Sequence, residues 1–271
     1  MKKVLGRILL IIAILAVIAG IAFVSYGIYK KATLKVQNPV ATIEIEDYGT
    51  IKVELYPDKA PNTVTNFIRL ANRGFYNGST IHRTVPNFVI QGGSKNGDTT
   101  ASPKLSDIMD DVKEDKEYNI NGEFIANGYN SNNLKHKRGV ISMARADYSQ
   151  YGSQIIEEGY NSASSQFYIT VADNTSLDGL YAAFGEVIEG MDVVDKISNV
   201  EVYYRDSELK ENEEAPKDDN GNKIQSDTPK KEIKIKSVTV ETYGIDYGIP
   251  ETHDVFDAYA WLLKQYYGIT N

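Results

Sequence analysis

Cysteine is absent from the 271 residues, which excludes disulfides, thiolate nucleophiles, iron–sulfur clusters and every zinc site that needs sulfur. Histidine is scarce. His82, His136 and His253 lie far apart, so an all-imidazole metal site is hard to assemble and no metal is expected. Positive charge is in deficit, with 29 basic against 37 acidic side chains and a net charge of −8. A phosphate-tracking binder needs a basic face, so nucleic acid is not an expected partner. No Gly-x-x-x-x-Gly-Lys, Gly-x-Gly-x-x-Gly or Gly-x-Ser-x-Gly occurs, so neither a nucleotide cradle nor a nucleophile elbow is indicated, and no cofactor is implied. What the chain has in quantity is tyrosine: 19, against one tryptophan, a bias that suits pleated β surfaces. The length allows one large domain or two small ones, with a real core.

Residues Ile8 to Tyr29 carry no charge and are mostly Ile, Leu, Ala and Val. As a helix this run reaches roughly 33 Å, enough for a hydrocarbon layer of about 30 Å. Lys2, Lys3 and Arg7 precede it, and Lys30, Lys31 and Lys35 follow. A cleaved signal peptide is the competing reading, but its apolar region is usually shorter and ends at an A-x-A-like site, which this run lacks. Residues 1–31 are therefore expected to be a transmembrane signal-anchor and 32–39 a linker. Positive charge on both flanks barely discriminates orientation. A short tail before a single span usually stays inside, which puts the following domain on the extracytoplasmic side of the cell membrane.

Beyond the linker, Ala41-Thr-Ile-Glu-Ile-Glu46 and Ile51-Lys-Val-Glu-Leu55 alternate with period two around Asp47-Tyr-Gly49, a hairpin pattern. Pro61 to Gly74 reads as a helix with Pro61 in its first turn, a stripe of Val64, Phe67, Ile68 and Ala71, and Gly74 at its end. Short strands are expected at 80–84, 88–91, 139–143, 166–170, 183–187 and 232–242, with a short helix at 191–197. Eight short strands with few helices point to a mainly β fold, a closed eight-stranded antiparallel β-barrel rather than a parallel α/β sheet. Gly97 to Asn119 reads as a polar surface excursion. Residues 205–232 hold 15 charged side chains and only Leu209, Ala215 and Ile224 as apolar ones, the composition of a mobile loop. Within that loop Asp218-Asp-Asn-Gly-Asn222 resembles a calcium loop, but Lys223 and Pro229 stand where the turn glycine and the bidentate glutamate belong. The extension 246–271 ends in an amphipathic helix, Asp254 to Tyr267, with Val255, Tyr259, Leu262 and Tyr266 on one side.

The unusual segment is Ile81-His-Arg-Thr-Val-Pro-Asn-Phe-Val-Ile-Gln-Gly-Gly93, which sets an arginine and a glutamine on a mostly apolar pair of strands. Three further segments accompany it: Gly139-Val-Ile-Ser-Met-Ala-Arg-Ala146, Ser164-Ser-Gln-Phe-Tyr-Ile169, and Leu177-Asp-Gly179 with Phe184-Gly-Glu-Val187. Together and in this order, from about Val40 to Gly244, they resemble the cyclophilin family of peptidyl-prolyl cis–trans isomerases. Gly122-Glu-Phe124 and Asn133-Leu-Lys-His136 look like its bacterial branch. The resemblance implies a barrel capped by two helices over residues 40–245, no cofactor, and proline-containing polypeptides as substrates.

The residue types suit that task. Rotation about an X-Pro bond crosses a barrier of ~20 kcal/mol because amide resonance is lost in the twisted state. No nucleophile or metal is needed, only an apolar slot for the ring and fixed donors that favour the twisted amide. By resemblance Arg83 is the donor, Gln91 orients it, and Phe88 completes the catalytic set. Val89, Tyr168 and Leu177 join Phe88 around the slot, with Ala144, Arg145, Gln166 and Tyr181 along the groove. The chain departs from the family pattern at Val89 (commonly Met), Tyr168 (Phe), Arg145 (Asn) and Tyr181 (His in eukaryotic members). Ser176 takes the place of the tryptophan associated with cyclosporin binding. An intact Arg83/Gln91 pair favours an isomerase acting on exported chains. The altered slot leaves a second reading, a non-catalytic proline-peptide binding module acting as chaperone or scaffold.

Overall fold

The computed structural model describes residues 6, 12, 14–26, 37–95, 102–205, 208–209, 214–218, 221 and 223–268. The chain falls into two units, 1–37 and 38–271. In the first, residues 14–26 are helical, with Leu15, Ile18, Ile21 and Phe23 exposed. Among the described residues no helix is long and apolar enough to cross a membrane. Apart from Ile12, the rest of the expected 8–29 span lies outside the described residues, as does linker segment 32–36.

In the second unit β1 (Val40–Ile45) and β2 (Gly49–Leu55) pair antiparallel as the alternation requires. Ala41, Ile43 and Ile45 face the core with Ile51, Val53 and Leu55. Helix α1 (Pro61–Asn72) starts at its proline and buries Val64, Phe67, Ile68, Leu70 and Ala71. Its N-cap residue Ala60 offers no side-chain acceptor, and Glu123 takes that role from a distant loop. The Glu123 carboxylate accepts from the amides of Asn62 (3.0 Å) and Thr63 (2.8 Å) and from Thr63 Oγ1 (2.7 Å). Phe67 packs against Tyr76, Phe167 and Phe184 with ring centroids 5.3–5.7 Å apart, which places this helix over the centre of the sheet.

The remaining strands are β3 (Thr80–Val85), β4 (Val89–Ser94), β5 (Tyr118–Asn119), β6 (Val140–Met143), β7 (Phe167–Thr170), β8 (Ala183–Glu189), β9 (Ile235–Glu241) and β10 (His253–Asp254). Three further helices are α2 (Ile156–Tyr160), α3 (Met191–Ser198) and α4 (Ala258–Tyr267). Eight strands make one antiparallel sheet in the order β3-β4-β7-β6-β8-β2-β1-β9, and β5 and β10 form a separate pair. Val193, Val194 and Ile197 of α3 reach the core as α1 does. The barrel expected from the strand count is not closed by a ladder. The sheet curls until its edges β3 and β9 meet at one isolated bridge, Thr80 to Lys234. The amides of Gly78 and Ile81 donate there to Ile235 and Ile233 carbonyls, and the Ile235 amide to Ser79. Bulges at Thr80/Ile81 and Ile81/Arg83 break the regular register of β3, so the seam remains short.

Three other expectations change. The excursion before β5 is not all surface, because Ile108 and Tyr118 enter the core and Tyr118 donates to Asn66 Oδ1 at 2.7 Å. In the charged 205–232 stretch the described residues are tied down. Thr84 N donates to Asp227 O, Tyr203 N to Thr228 O, and Tyr204 Oη to Ile224 O. Asp219, Asn220 and Asn222 of the discounted calcium loop lie outside the described residues. Helix α4 begins later than its periodicity suggests, at Ala258 after the Asp257 cap, and Tyr259 and Tyr266 point outward rather than into a packed stripe.

Candidate active site

β3 and β4 are joined at Pro86-Asn87-Phe88, where Asn87 takes the left-handed φ of 58° that asparagine tolerates. Across the ladder Arg83 faces Gln91, and Gln91 faces Tyr168 on β7. Ile81 and Arg83 would share a face in a regular strand. The bulge at His82 separates them: Ile81 goes to the core and Arg83 to a cavity. Two residues beyond Gln91, Gly93 has φ +91°, and a Cβ there would lie 2.9 Å from the Ser165 carbonyl and the Phe167 ring. That glycine lets β4 approach the strand that supplies Gln166 and Tyr168.

The cavity, about 180 Å³, is lined by Arg83, Phe88, Val89, Gln91, Ala144, Arg145, Tyr168, Leu177 and Tyr181. Every site residue named from the sequence except Gln166 lies on this wall. Gln166 lines an adjoining cavity of about 500 Å³ and accepts from Gln91 Nε2 at 3.1 Å. The Arg83 guanidinium stands 5.8 Å from the Phe88 ring centroid and is partly open to solvent. Ser176 is exposed on the turn before Leu177, its amide held by Asn174.

Three groups that support the site carried no assigned role in the sequence reading. Asp227, only 6 % exposed, sits behind Arg83, with Oδ2 3.8 Å from Arg83 Nε and Oδ1 3.1 Å from Arg205 Nη1. The Arg205 guanidinium also donates to the Thr84 carbonyl, so Asp227 is fixed where it can hold Arg83 from the rear. The stretch that supplies it looked too charged to be structural, and only the fold brings it to β3.

The other two, His136 and Asp178, explain the tyrosine at 168. His136 is buried, with Nδ1 3.3 Å from Asp178 Oδ1 and Nε2 3.1 Å from the Tyr168 hydroxyl and 3.0 Å from Ser142 Oγ. The tautomer that satisfies these partners donates Nδ1–H to the carboxylate and accepts at Nε2. Burial pushes the imidazole pKa down, against the pull of Asp178. Burial also drives the Tyr168 phenol far above its ordinary range, so it remains a neutral donor. Asp178 accepts the His136 amide at 2.8 Å and directly follows Leu177. One buried chain therefore fixes two walls of the slot.

Arg145 lies on a different kind of support. Its guanidinium is 4.6 Å from the Tyr181 ring centroid, 4.9 Å from Tyr160 and 5.6 Å from Phe124. It donates to the main-chain carbonyls of Leu180 (3.0 Å) and Ala146 (2.9 Å). The longer loop 146–163 thus contributes Tyr160 to an aromatic cradle for a groove arginine.

Residues 40–240 match the family model described as cyclophilin type peptidyl-prolyl cis-trans isomerase. A peptidyl-prolyl cis-trans isomerase of Acinetobacter baylyi is 38 % identical over 157 residues, covering 56 % of this chain and 68 % of its own. Peptidyl-prolyl cis-trans isomerase B of Bacillus subtilis is 35 % identical over 158 residues, 58 % of this chain and 90 % of its own. Among solved structures, a Cryptosporidium parvum cyclophilin-type isomerase in the presence of the dipeptide Ala-Pro superposes with a TM-score of 0.51 at 26 % identity. It covers 74 % of this chain and 98 % of that one.

Proposed function

The chain belongs to the cyclophilin family of peptidyl-prolyl cis–trans isomerases and is itself such an isomerase, and we propose that Arg83 is the group that stabilises the twisted amide. The observation that carries this is its place at the slot rim, opposite Gln91 and backed by buried Asp227. A bound proline ring fits between Phe88, Val89, Tyr168 and Leu177, and the guanidinium then meets the prolyl carbonyl and nitrogen. Twisting ends conjugation, so the nitrogen lone pair becomes available to an N–H donor. Interaction at that point favours the transition state over both planar forms, which is what raises turnover. Gln91, held by Gln166, keeps the donor in line. Ala144, Arg145, Gln166 and Tyr181 receive the residues before proline. No proton is transferred and no covalent bond forms.

The test is a prolyl-peptide isomerisation assay on the full chain and on Arg83→Ala. Turnover by the first and its loss in the second, with peptide binding kept, is the expected result. Peptide binding by the wild type without turnover overturns the reading.

The uncharged run 8–29 and the exposed apolar side chains of residues 14–26 support a membrane-tethered form of the bacterial branch, with the domain outside and exported chains as clients. Protease treatment of intact cells and of permeabilised cells distinguishes the orientations. Recovery of all the protein in the soluble fraction overturns the tether.

A further inference from the structure

The larger cavity beside the slot shares Arg83, Gln91, Ala144 and Arg145 with it and extends to Asn119, Tyr148 and Val255. Its outer wall comes from beyond the eight-stranded sheet. His253–Asp254 pairs with Tyr118–Asn119, and Phe256 packs on Tyr148 with ring centroids 5.8 Å apart. Arg83, Gln91, Ala144 and Arg145 form the wall common to both spaces, so a peptide whose proline fills the slot has this cavity beside it.

The charged side chains that line it have one sign. Among the described residues lining the cavity there are two arginines and no carboxylate. His82, also on its wall, is neutral at pH 7, because burial lowers its pKa to about 4. Arg145 has no carboxylate within ion-pair distance among the described residues. Three aromatic rings and two carbonyls hold it in place, and none of them cancels its charge. Of the acids around it, Asp254 pairs with Lys116, whereas Asp147, which accepts the Ser149 amide, and Asp257, which caps α4, keep their charge; Asp147 feels Arg145 without forming an ion pair with it, and Glu158 and Asp257 act on Tyr148. Asp227 is one negative charge against both Arg83 and Arg205. A preoriented guanidinium with no paired carboxylate among the described residues is a specific acceptor for a carboxylate, because its planar donor fork matches that group.

We propose that this cavity is an anionic subsite, and that the enzyme selects proline segments carrying an aspartate or glutamate shortly before the proline, with Arg145 as the specificity-determining residue. This rests on the slot assignment above. The test uses the full chain and alanine-based peptides with one proline, in which a single Glu, Gln or Lys occupies the first, second or third position before it. Both kcat/KM and the Kd from fluorescence anisotropy are measured. At one position Glu is expected to exceed Gln by about tenfold, the size of one charge-assisted contact at a partly shielded site, with Lys below both. That preference shrinks in high salt. In Arg145→Gln the Glu/Gln ratio falls to near one, and in Arg145→Lys, which keeps the charge but loses the fork, it is intermediate. Equal values for Glu and Gln at all three positions, or a ratio that survives in Arg145→Gln, overturns the proposal. Failure of the isomerase reading shows separately, as absent turnover of the alanine peptide, and the Kd series still decides the charge preference.

Discussion

Arg83 and Tyr168 carry the residue-scale consequences. Removing one preorganised donor from a sheltered site typically lowers the rate 10²–10³-fold. Arg83→Ala is therefore expected to lose that much kcat while its thermal unfolding stays close to wild type, since the side chain is partly exposed and outside the core. Arg83→Lys should fail almost as badly, because an ammonium cannot present two donors in one plane. Tyr168→Phe has a different signature. It removes the hydroxyl that meets His136 Nε2, leaving Ser142 as the remaining side-chain partner there. About 1 kcal/mol of stability should go, with a larger change in KM than in kcat, because the wall is loosened and the donor is untouched. Urea unfolding and steady-state kinetics on the same preparation check both. A Tyr168→Phe enzyme with halved kcat and unchanged KM would contradict the clamp. Ser176 lacks the indole donor and ring that a tryptophan brings, so cyclosporin should inhibit weakly, by orders of magnitude less than nanomolar binding. A nanomolar inhibition constant would show that another group replaces it.

At the scale of elements, strands and helices were legible wherever a pattern is local. β1 and β2 follow from alternation, and α1 from Pro61, its apolar stripe and Gly74. What stayed hidden depends on residues distant in sequence. The bulge at His82 that swings Arg83 out of the Ile81 face leaves no periodic trace, since it is set by how β3 meets β4. Likewise the motif Gly122-Glu-Phe124 marks a family, but nothing local says that Glu123 caps a helix sixty residues earlier. Asp227 is the same case in a stretch whose composition suggests a loop. Each is testable. Glu123→Ala should destabilise the domain by about 1–3 kcal/mol, because it strips the buried Thr63 amide and hydroxyl and the partly buried Asn62 amide of their acceptor. Chemical denaturation checks it, and an unchanged midpoint would mean that α1 is capped otherwise. Asp227→Asn leaves Arg83 and Arg205 without the carboxylate between them. It should lower kcat several-fold and stability together, whereas a purely structural role would move only the second.

Two histidines make the stability of the whole molecule sensitive to acid, and the sign follows from where burial puts them. Burial lowers the pKa of His82 to about 4, with the Arg83 charge pushing the same way and the Thr80 carbonyl opposing, and it lowers that of His136 despite Asp178. In the unfolded chain both titrate near ~6.5. The unfolded state therefore binds protons first as pH falls, and stability present above that value is lost progressively below it. For His82 the window runs from ~6.5 down to about 4, and the loss amounts to about 1–3 kcal/mol after allowing for partial exposure. Net charge works in the other direction, since −8 at pH 7 shrinks toward the isoelectric point near 5.1 and relieves repulsion. The two effects differ in their response to mutation. His82→Gln should flatten the decline without altering the charge contribution of the other groups. His136 adds a functional mark, because a protonated Nε2 can no longer accept the Tyr168 hydroxyl, so KM should rise once acid protonates it, below the ordinary imidazole range. Thermal unfolding and kinetics on wild type and His82→Gln, at steps from pH 7.5 to 4, decide the matter. A melting temperature that rises steadily toward pH 5 in both proteins would show that charge relief outweighs the histidines.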